Sequence, residues 1–448
     1  MHAFALGRKR AALAGTAALA VGMLGACKSD QVLNVNSPDI LGEAAYQTPA
    51  GVDALRFGVL ADFTYAFDGN TDAFTVITGN MADELDATDT FADRLSINAR
   101  QSSEINTNME AEYRNMQQAH LGAVNAATVI ANVAADKKAQ RGEMYLIEGF
   151  TEIFFAEGWC SGTPISNNGV PGKPNTTAEL FTMAVAHFDT ALTLGDTSAL
   201  GTRVKYAAQI GRGRALLGLG RYADAAAAVA GVPRSFQYVT SHSTGNTREQ
   251  NGMWSAEVNG ATRYSIVSSE GTNGLPYLAT STDPRIPWTP SSRSGFDGQT
   301  KNLPTQLKFG RVDNGIVADG TEGQLIILEN TLKAGTQAAR DAVFAGLNQL
   351  RATNSPAIPP IAGSAPTTQD AAVSQLFAER AYWTWLTGHR LGDMRRLVRQ
   401  YGRDAEKVYP TGQLSGPIAG TFGTSTSIMI PQSERNNPNF TGCLDTKA

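Results

Sequence analysis

From residue 105 to residue 233 the chain reads as one amphipathic helix after another, each closed by a breaker. A run of that kind buries its apolar faces by stacking as α-hairpins. Asn106 opens a long helical stretch that passes through the Ala-rich residues 123–135. The next helix, 139–155, sets Met144, Ile147, Phe150 and Phe154 at the three-to-four spacing of one buried face. It stops at Gly158-Trp159-Cys160-Ser161-Gly162-Thr163-Pro164, a loop by its glycines and proline. Thr176 and Glu179 form a capping box, and the helix behind it carries Leu180, Ala184, Phe188 and Ala191. Residues 203–219 are helical, Gly220 breaks them, and 222–230 are helical again until Gly231 and Pro233.

That last pair has part of the tetratricopeptide pattern. Gly213 stands at the close-contact position, with Leu216 three residues on. Ala225 is the small residue that lets the second helix approach, and Val229 takes the place of the usual Phe. Elsewhere, Thr48-Pro49 offers an N-cap and first-turn proline ahead of Val52, Leu55, Val59 and Phe63. Helices resume at 322–334, 336–351, 368–386 and 391–401. The fold class is therefore mostly α, with tetratricopeptide-like helical hairpins.

Residues 234–320 interrupt this texture. Helical period vanishes, and Gly, Ser, Thr, Asn and Pro dominate, with Phe236, Tyr238, Trp254, Tyr264, Tyr277, Trp288, Phe296 and Phe309 scattered among them. An irregular stretch of that length inside a helical body points to function.

The N-terminus has three zones: a basic segment with Arg8, Lys9 and Arg10, an uncharged apolar run over 11–24, and Leu24-Gly25-Ala26-Cys27. This is the layout of a secretory signal. Fourteen helical residues rise only about 21 Å, short of the ~30 Å hydrocarbon core, so the run is no permanent span. The Leu-Gly-Ala-Cys stretch resembles the bacterial lipobox, which implies cleavage before Cys27 and a diacylglycerol on its thiol. Residues 1–26 are then the signal and 27–47 a lipidated tether, with 48–233, 234–320 and 321–448 making one body.

Loss of residues 1–26 removes three basic residues and no acidic ones, leaving 34 basic against 41 acidic, a net of −7. No basic run is present, so nucleic acid is not an expected partner. His120, His187, His242 and His389 form no zinc motif, and no Gly-x-Ser-x-Gly elbow occurs. Asp68-x-Asn70-x-Asp72 begins like a calcium loop, but Ala73 replaces the turn glycine and Gly79 the closing acid. No catalytic residue, metal site or cofactor is expected. Cys160 and Cys443 either pair, as an oxidising compartment permits, or lie as separate buried thiols.

Several motifs in order are similar to those of the SusD/RagB family of outer-membrane nutrient-binding lipoproteins, over about residues 37–440. Residues 49–66, followed by Gly79-Asn80-Met81-Ala82-Asp83-Glu84-Leu85, look like its first helix and the segment after it. Residues 149–164 match its helix ending in a Gly-x-x-Pro loop, and Thr282-Asp283-Pro284-Arg285 its Asp-x-Arg segment. Phe377-Ala378-Glu379-Arg380 and Gly388-His389-Arg390-Leu391-Gly392-Asp393-Met394-Arg395-Arg396 resemble its paired Arg-rich helices. Ile430-Pro431-Gln432-Ser433-Glu434-Arg435-Asn436-Asn437-Pro438-Asn439 resembles its ending. Cys160 and Cys443 are not general to that family.

The resemblance implies a SusD-like fold and a non-enzymatic lipoprotein on the outer membrane, facing the exterior. Such a protein takes up an oligosaccharide, or in some members a peptide, and passes it to a SusC-like TonB-dependent barrel. A glycan binder needs aromatic rings against sugars and polar groups beside them. Trp254, Tyr264, Tyr277 and Trp288 are the candidate stacking residues, with Phe91 and Arg94 beside them. Two rival readings are a tetratricopeptide-type envelope scaffold and a hydrolase.

Overall fold

In the computed structural model, residues 46–258, 262–279, 283–414 and 420–447 are described. The signal, Cys27 and most of the tether lie outside them, as does Thr282. The chain divides into two units, residues 1–51 and residues 52–448. In the first, the Gly51 N–H donates to the Thr48 hydroxyl at 3.0 Å, which makes Thr48 a helix cap.

The elements run α1 (Pro49–Asp68), α2 (Phe74–Met81), β1 (Leu85–Ala87), α3 (Ala92–Asn98), α4 (Thr107–Val133) and α5 (Lys138–Gly158). After β2 (Thr163–Pro164) and β3 (Pro174–Asn175) come α6 (Thr177–Leu194), α7 (Ala199–Gly218) and α8 (Tyr222–Val229). The interrupted region holds β4 (Gln237–Val239), α9 (Gly252–Glu257), β5 (Tyr264–Ile266), β6 (Trp288–Ser294), β7 (Lys301–Gln306) and β8 (Ile316–Asp319). The chain then continues as α10 (Gly320–Leu332), α11 (Gln337–Ala352), α12 (Gln369–Trp383), α13 (Arg390–Tyr401) and α14 (Ala405–Val408). No helix among the described residues is long and apolar enough to cross a membrane.

Successive helices pack as neighbours. α4 lies on α5, α5 on α6, α6 on α7 and α7 on α8, and the stack continues through α10 to α11 and α12. Their ends obey the capping chemistry. The Thr176 hydroxyl accepts from the Glu179 N–H at 3.1 Å, and the Glu179 carboxylate accepts from the Thr176 N–H at 2.7 Å. α7 starts at Ala199 rather than 203, because the Ser198 hydroxyl caps it by accepting from the Gly201 N–H at 3.0 Å. The α7–α8 hairpin closes as the tetratricopeptide pattern predicts. A Cβ on Gly213 would lie 2.6 Å from Val229 Cγ1 and 3.3 Å from the Ala225 carbonyl, so only glycine admits this approach. The main core centres on stacked rings, with Phe154 4.6 Å from Phe74 and 5.0 Å from Phe67.

Residues 234–320 are less irregular than their sequence suggests. β4 pairs with β8, β6 with β7, and β5 reaches back to β1, all antiparallel. These strands are short, and β6 and β7 contain Pro290 and Pro304, so no alternating pattern advertises them. Met253, Tyr264, Ile266, Tyr277 and Phe309 from this region join Leu85, Trp385 and Leu386 in a second core.

The Arg-rich motifs join α10, α12 and α13 to one another, and Arg285 ties this layer to α12. Arg380 pairs with Asp393 at 2.9 Å, Arg396 with Glu329 at 2.7 Å, and Arg285 with Glu379 at 2.8 Å, all buried. Burial alone would raise the Asp393 carboxyl, but Arg380 and Arg396 hold it down to about 2. Gly388, at φ 73°, turns the chain from α12 into α13 with its Cα face against Phe74. At the other end, Cys160 and Cys443 form a disulfide across 283 residues, with Cα atoms 5.9 Å apart. The backbone around it is sewn to the tail: the Cys160 N–H donates to the Ile428 carbonyl at 2.8 Å, and the Ser161 N–H to that of Asp445 at 2.9 Å.

Candidate ligand-binding cleft

Three segments far apart in sequence run side by side near β1. The Thr88 N–H donates to the Arg263 carbonyl and its hydroxyl to that of Thr262, both at 2.9 Å. The Phe296 N–H donates to the Thr262 carbonyl at 2.8 Å, and the Asp297 N–H to the Thr88 carbonyl at 3.0 Å. Asp89 then sets the start of α3 by accepting from the N–H groups of Thr90 at 2.6 Å and Phe91 at 3.2 Å. The result is an exposed aromatic pair. Phe91 and Phe296 meet edge to face with centroids 6.3 Å apart, and 47% and 40% of their surfaces stay open to water. Large apolar rings left uncovered in this way are candidate contact surfaces.

Beside the pair is a polar cleft of about 510 Å³, with Asn70, Asp72, Arg94, Arg248, Ser255 and Arg263 in its wall. Its floor is fixed. Arg94 grips Asp72 with two hydrogen bonds, at 2.7 and 2.6 Å, and reaches Asp89 at 2.7 Å. The Tyr264 hydroxyl donates to Asp72 at 2.7 Å, and the Asn108 amide does so at 2.8 Å. Asp89 also takes Arg263 at 2.9 Å. Burial alone would raise the Asp89 carboxyl, but Arg263 and Arg94 hold it below the usual range. For Tyr264 burial acts first and Asp72 second, and both push the phenol well above its normal value.

Two guanidinium groups at the rim lie on aromatic faces. Arg263 sits 4.0 Å from the Phe296 ring centroid and 4.9 Å from that of Phe91. Arg248, just past the cap at Asn246, lies 4.3 Å from the ring of Tyr65 on α1. Stacking of this kind holds a cation in place while leaving its edge free.

The residues chosen from sequence divide. Phe91 is at the rim. Arg94 is 6% exposed and clamped between two acids, so it builds the floor rather than meeting a ligand. Tyr264 and Tyr277 are 1% and 0% exposed, with their rings inside the second core, which corrects their assignment as stacking residues. The Tyr277 hydroxyl donates to Asp83 at 3.2 Å. Trp288 is half-buried against the same core. Trp254 is half-buried on α9 next to Ser255, with the Arg311 guanidinium 5.6 Å from its ring. The sequence reading passed over Arg248, Arg263 and Phe296 as site residues. Phe296 had a signal: an aromatic in Gly295-Phe296-Asp297-Gly298 sits at a turn, where burial is hard. Asp68 and Asp72, the start of the calcium-like pattern, point to different partners. Asp68 accepts from the Thr240 hydroxyl at 2.8 Å, while Asp72 is taken by Arg94. No group of acids, His and Cys among the described residues is arranged to hold a metal.

No protein-family profile matches this chain, and no curated protein does. Solved structures do. A SusD superfamily protein from Bacteroides fragilis superposes with a TM-score of 0.65 at 12% identity, over 89% of this chain and 100% of that one. One from Bacteroides thetaiotaomicron gives 0.62 at 15%, over 88% and 99%. A SusD-like carbohydrate-binding protein from Bacteroides fragilis gives 0.63 at 14%, over 89% and 100%. With the helical stack, the second layer and the Arg-rich joint between them in place, this chain has the fold of the SusD superfamily.

Proposed function

We propose that this protein is a SusD-type binding lipoprotein, anchored through Cys27 at the outer membrane, that takes up an oligosaccharide and passes it to a SusC-like TonB-dependent barrel. The observation that carries the binding half is the exposed Phe91–Phe296 pair over a preformed polar cleft. Sugar rings stack on such faces while hydroxyls meet the polar wall. Similarity to a structure described as carbohydrate-binding supports the same reading. A plain helical scaffold has no need of an uncovered aromatic pair. Catalysis in this cleft is disfavoured because Asp72, the carboxyl in its wall, is held by Arg94, and Asp89 beside it by Arg94 and Arg263.

A glycan array probed with the mature protein tests the binding half. Binding to at least one oligosaccharide, without turnover, is the expected result, and a blank array overturns it. Fractionation tests the anchor: Cys27→Ala protein should leave the membrane for the soluble fraction. Detergent extraction of the wild type should bring down a large barrel in a fixed ratio. A membrane-retained Cys27→Ala protein would contradict the lipid tether.

A further inference from the structure

Charged donors outnumber carboxylates in the cleft wall, with Arg94, Arg248 and Arg263 against Asp72. The only carboxylate there, Asp72, has both oxygens engaged: Oδ1 by Arg94 and Tyr264, Oδ2 by Arg94 and Asn108. Asn70 is spent as well. Its amide donates to the Tyr65 carbonyl at 2.7 Å and to Glu112 at 3.2 Å, and its oxygen accepts from the Asp72 N–H at 2.8 Å. Burial raises the Glu112 carboxyl well above the usual range, and its Oε2 accepts from the Asn70 and Asn115 amides, both at 3.2 Å. Three arginines, Arg94, Arg248 and Arg263, line this wall, and Asp72 and Asp89 take up only part of their donors, so guanidinium donors are in surplus in a body whose net charge is −7.

The surplus is localised. Arg94 is saturated by its two acids. Arg263 gives Asp89 its Nη1 alone, and Nε and Nη2 have no hydrogen-bond partner among the described residues. Arg248 has no acidic partner there at all, only the ring of Tyr65. Two guanidinium groups stacked on rings and lining one cleft suit a planar or tetrahedral oxyanion. The hydroxyls of Thr71, Thr247 and Ser255 in the same wall can serve any sugar, so the two guanidinium groups are what favours an acidic one.

Resting on the binding role proposed above, we infer that the cleft selects an anionic oligosaccharide, with Arg248 and Arg263 engaging its carboxylate or sulfate while Phe91 and Phe296 meet its rings.

Calorimetric titration of the mature protein tests it with four probes: tetragalacturonate, neutral galactotetraose, a sulfated galactan tetrasaccharide and a tetraglutamate peptide. An acidic sugar should bind at least about tenfold more tightly than galactotetraose, and the margin should shrink at roughly 0.5 M salt. Arg248→Gln should weaken the acidic sugar about tenfold and the neutral one less than about twofold. Preference for the galacturonate identifies the anion as carboxylate, and preference for the sulfated sugar identifies it as sulfate; both support the inference. Equal or tighter binding of galactotetraose, unmoved by Arg248→Gln, overturns the anion preference and leaves the binding role intact. Binding of tetraglutamate with no sugar bound overturns both.

Discussion

Arg390 holds Asp83 through two buried hydrogen bonds, Nε to Oδ1 at 2.6 Å and Nη2 to Oδ2 at 2.7 Å, across 307 residues of sequence. Asp83 also accepts from the Leu275 N–H at 3.0 Å and from the Tyr277 hydroxyl. One carboxylate thus joins the end of α2, the interrupted region and the start of α13. A buried pair of this kind adds little over a well-packed apolar substitute, but removing one partner strands the other. Asp83→Ala should therefore destabilise the body by about 3–5 kcal/mol in urea denaturation. A loss within 1 kcal/mol, roughly the value of an exposed pair, would contradict this role.

The Cys160–Cys443 bond closes a loop of 283 residues, from the end of α5 to the tail. Chain entropy sets a ceiling of about 5 kcal/mol for such a loop. The double variant Cys160→Ala/Cys443→Ala should lose roughly 2–5 kcal/mol, and reductant should lower the wild-type urea midpoint while leaving that of the variant unchanged. Two titratable thiols in unfolded, unreduced protein would show that the bond does not form.

Buried acids give a pH dependence with a definite sign. Burial lifts Glu84 to about 8, and Asp83 adds to the shift. Burial likewise lifts Glu257 to about 8 and Asp86 to about 7. Each folded value lies above the unfolded one, so the folded state holds protons that the unfolded state has released. Stability is then fully present below the ordinary carboxyl range and falls as pH rises toward 8. Lys308 is shifted the other way, down to about 8 by burial, and its own contribution grows only above that. The urea midpoint should decline from pH 5 to pH 8, and Glu84→Gln should flatten part of the decline. A midpoint that rises over this interval would refute the assignment.

The helical body was legible because its signals are local. Capping at Thr176, the Gly213–Ala225 approach and the faces of α5 and α6 follow from period and chemistry within a few turns, whereas the Ser198 cap that starts α7 at Ala199 went unread. The short strands were not, since β1 finds its partner β5 through contacts far along the chain, as Leu85 pairs with Ile266. The cleft was half legible for the same reason. Phe91 could be picked as a ring in a polar segment. Tyr264 and Tyr277 looked identical to it in sequence, yet a second core formed from residues before 90 and after 380 encloses them. Arg248 and Arg263 carry no local mark. Their importance comes from lying on Tyr65 and on the Phe91–Phe296 pair, which the fold alone brings within reach.

Oligosaccharide binding at the Phe91–Phe296 pair is the centre of this account, and a titration on the double variant Phe91→Ala/Phe296→Ala measures it most directly. Both rings are exposed, so the variant should keep the far-UV spectrum and urea midpoint of the wild type. For a glycan that the wild type binds, loss of two stacking contacts should weaken the affinity by about tenfold or more. An unchanged Kd in the folded variant would contradict the account and place the ligand elsewhere on the molecule.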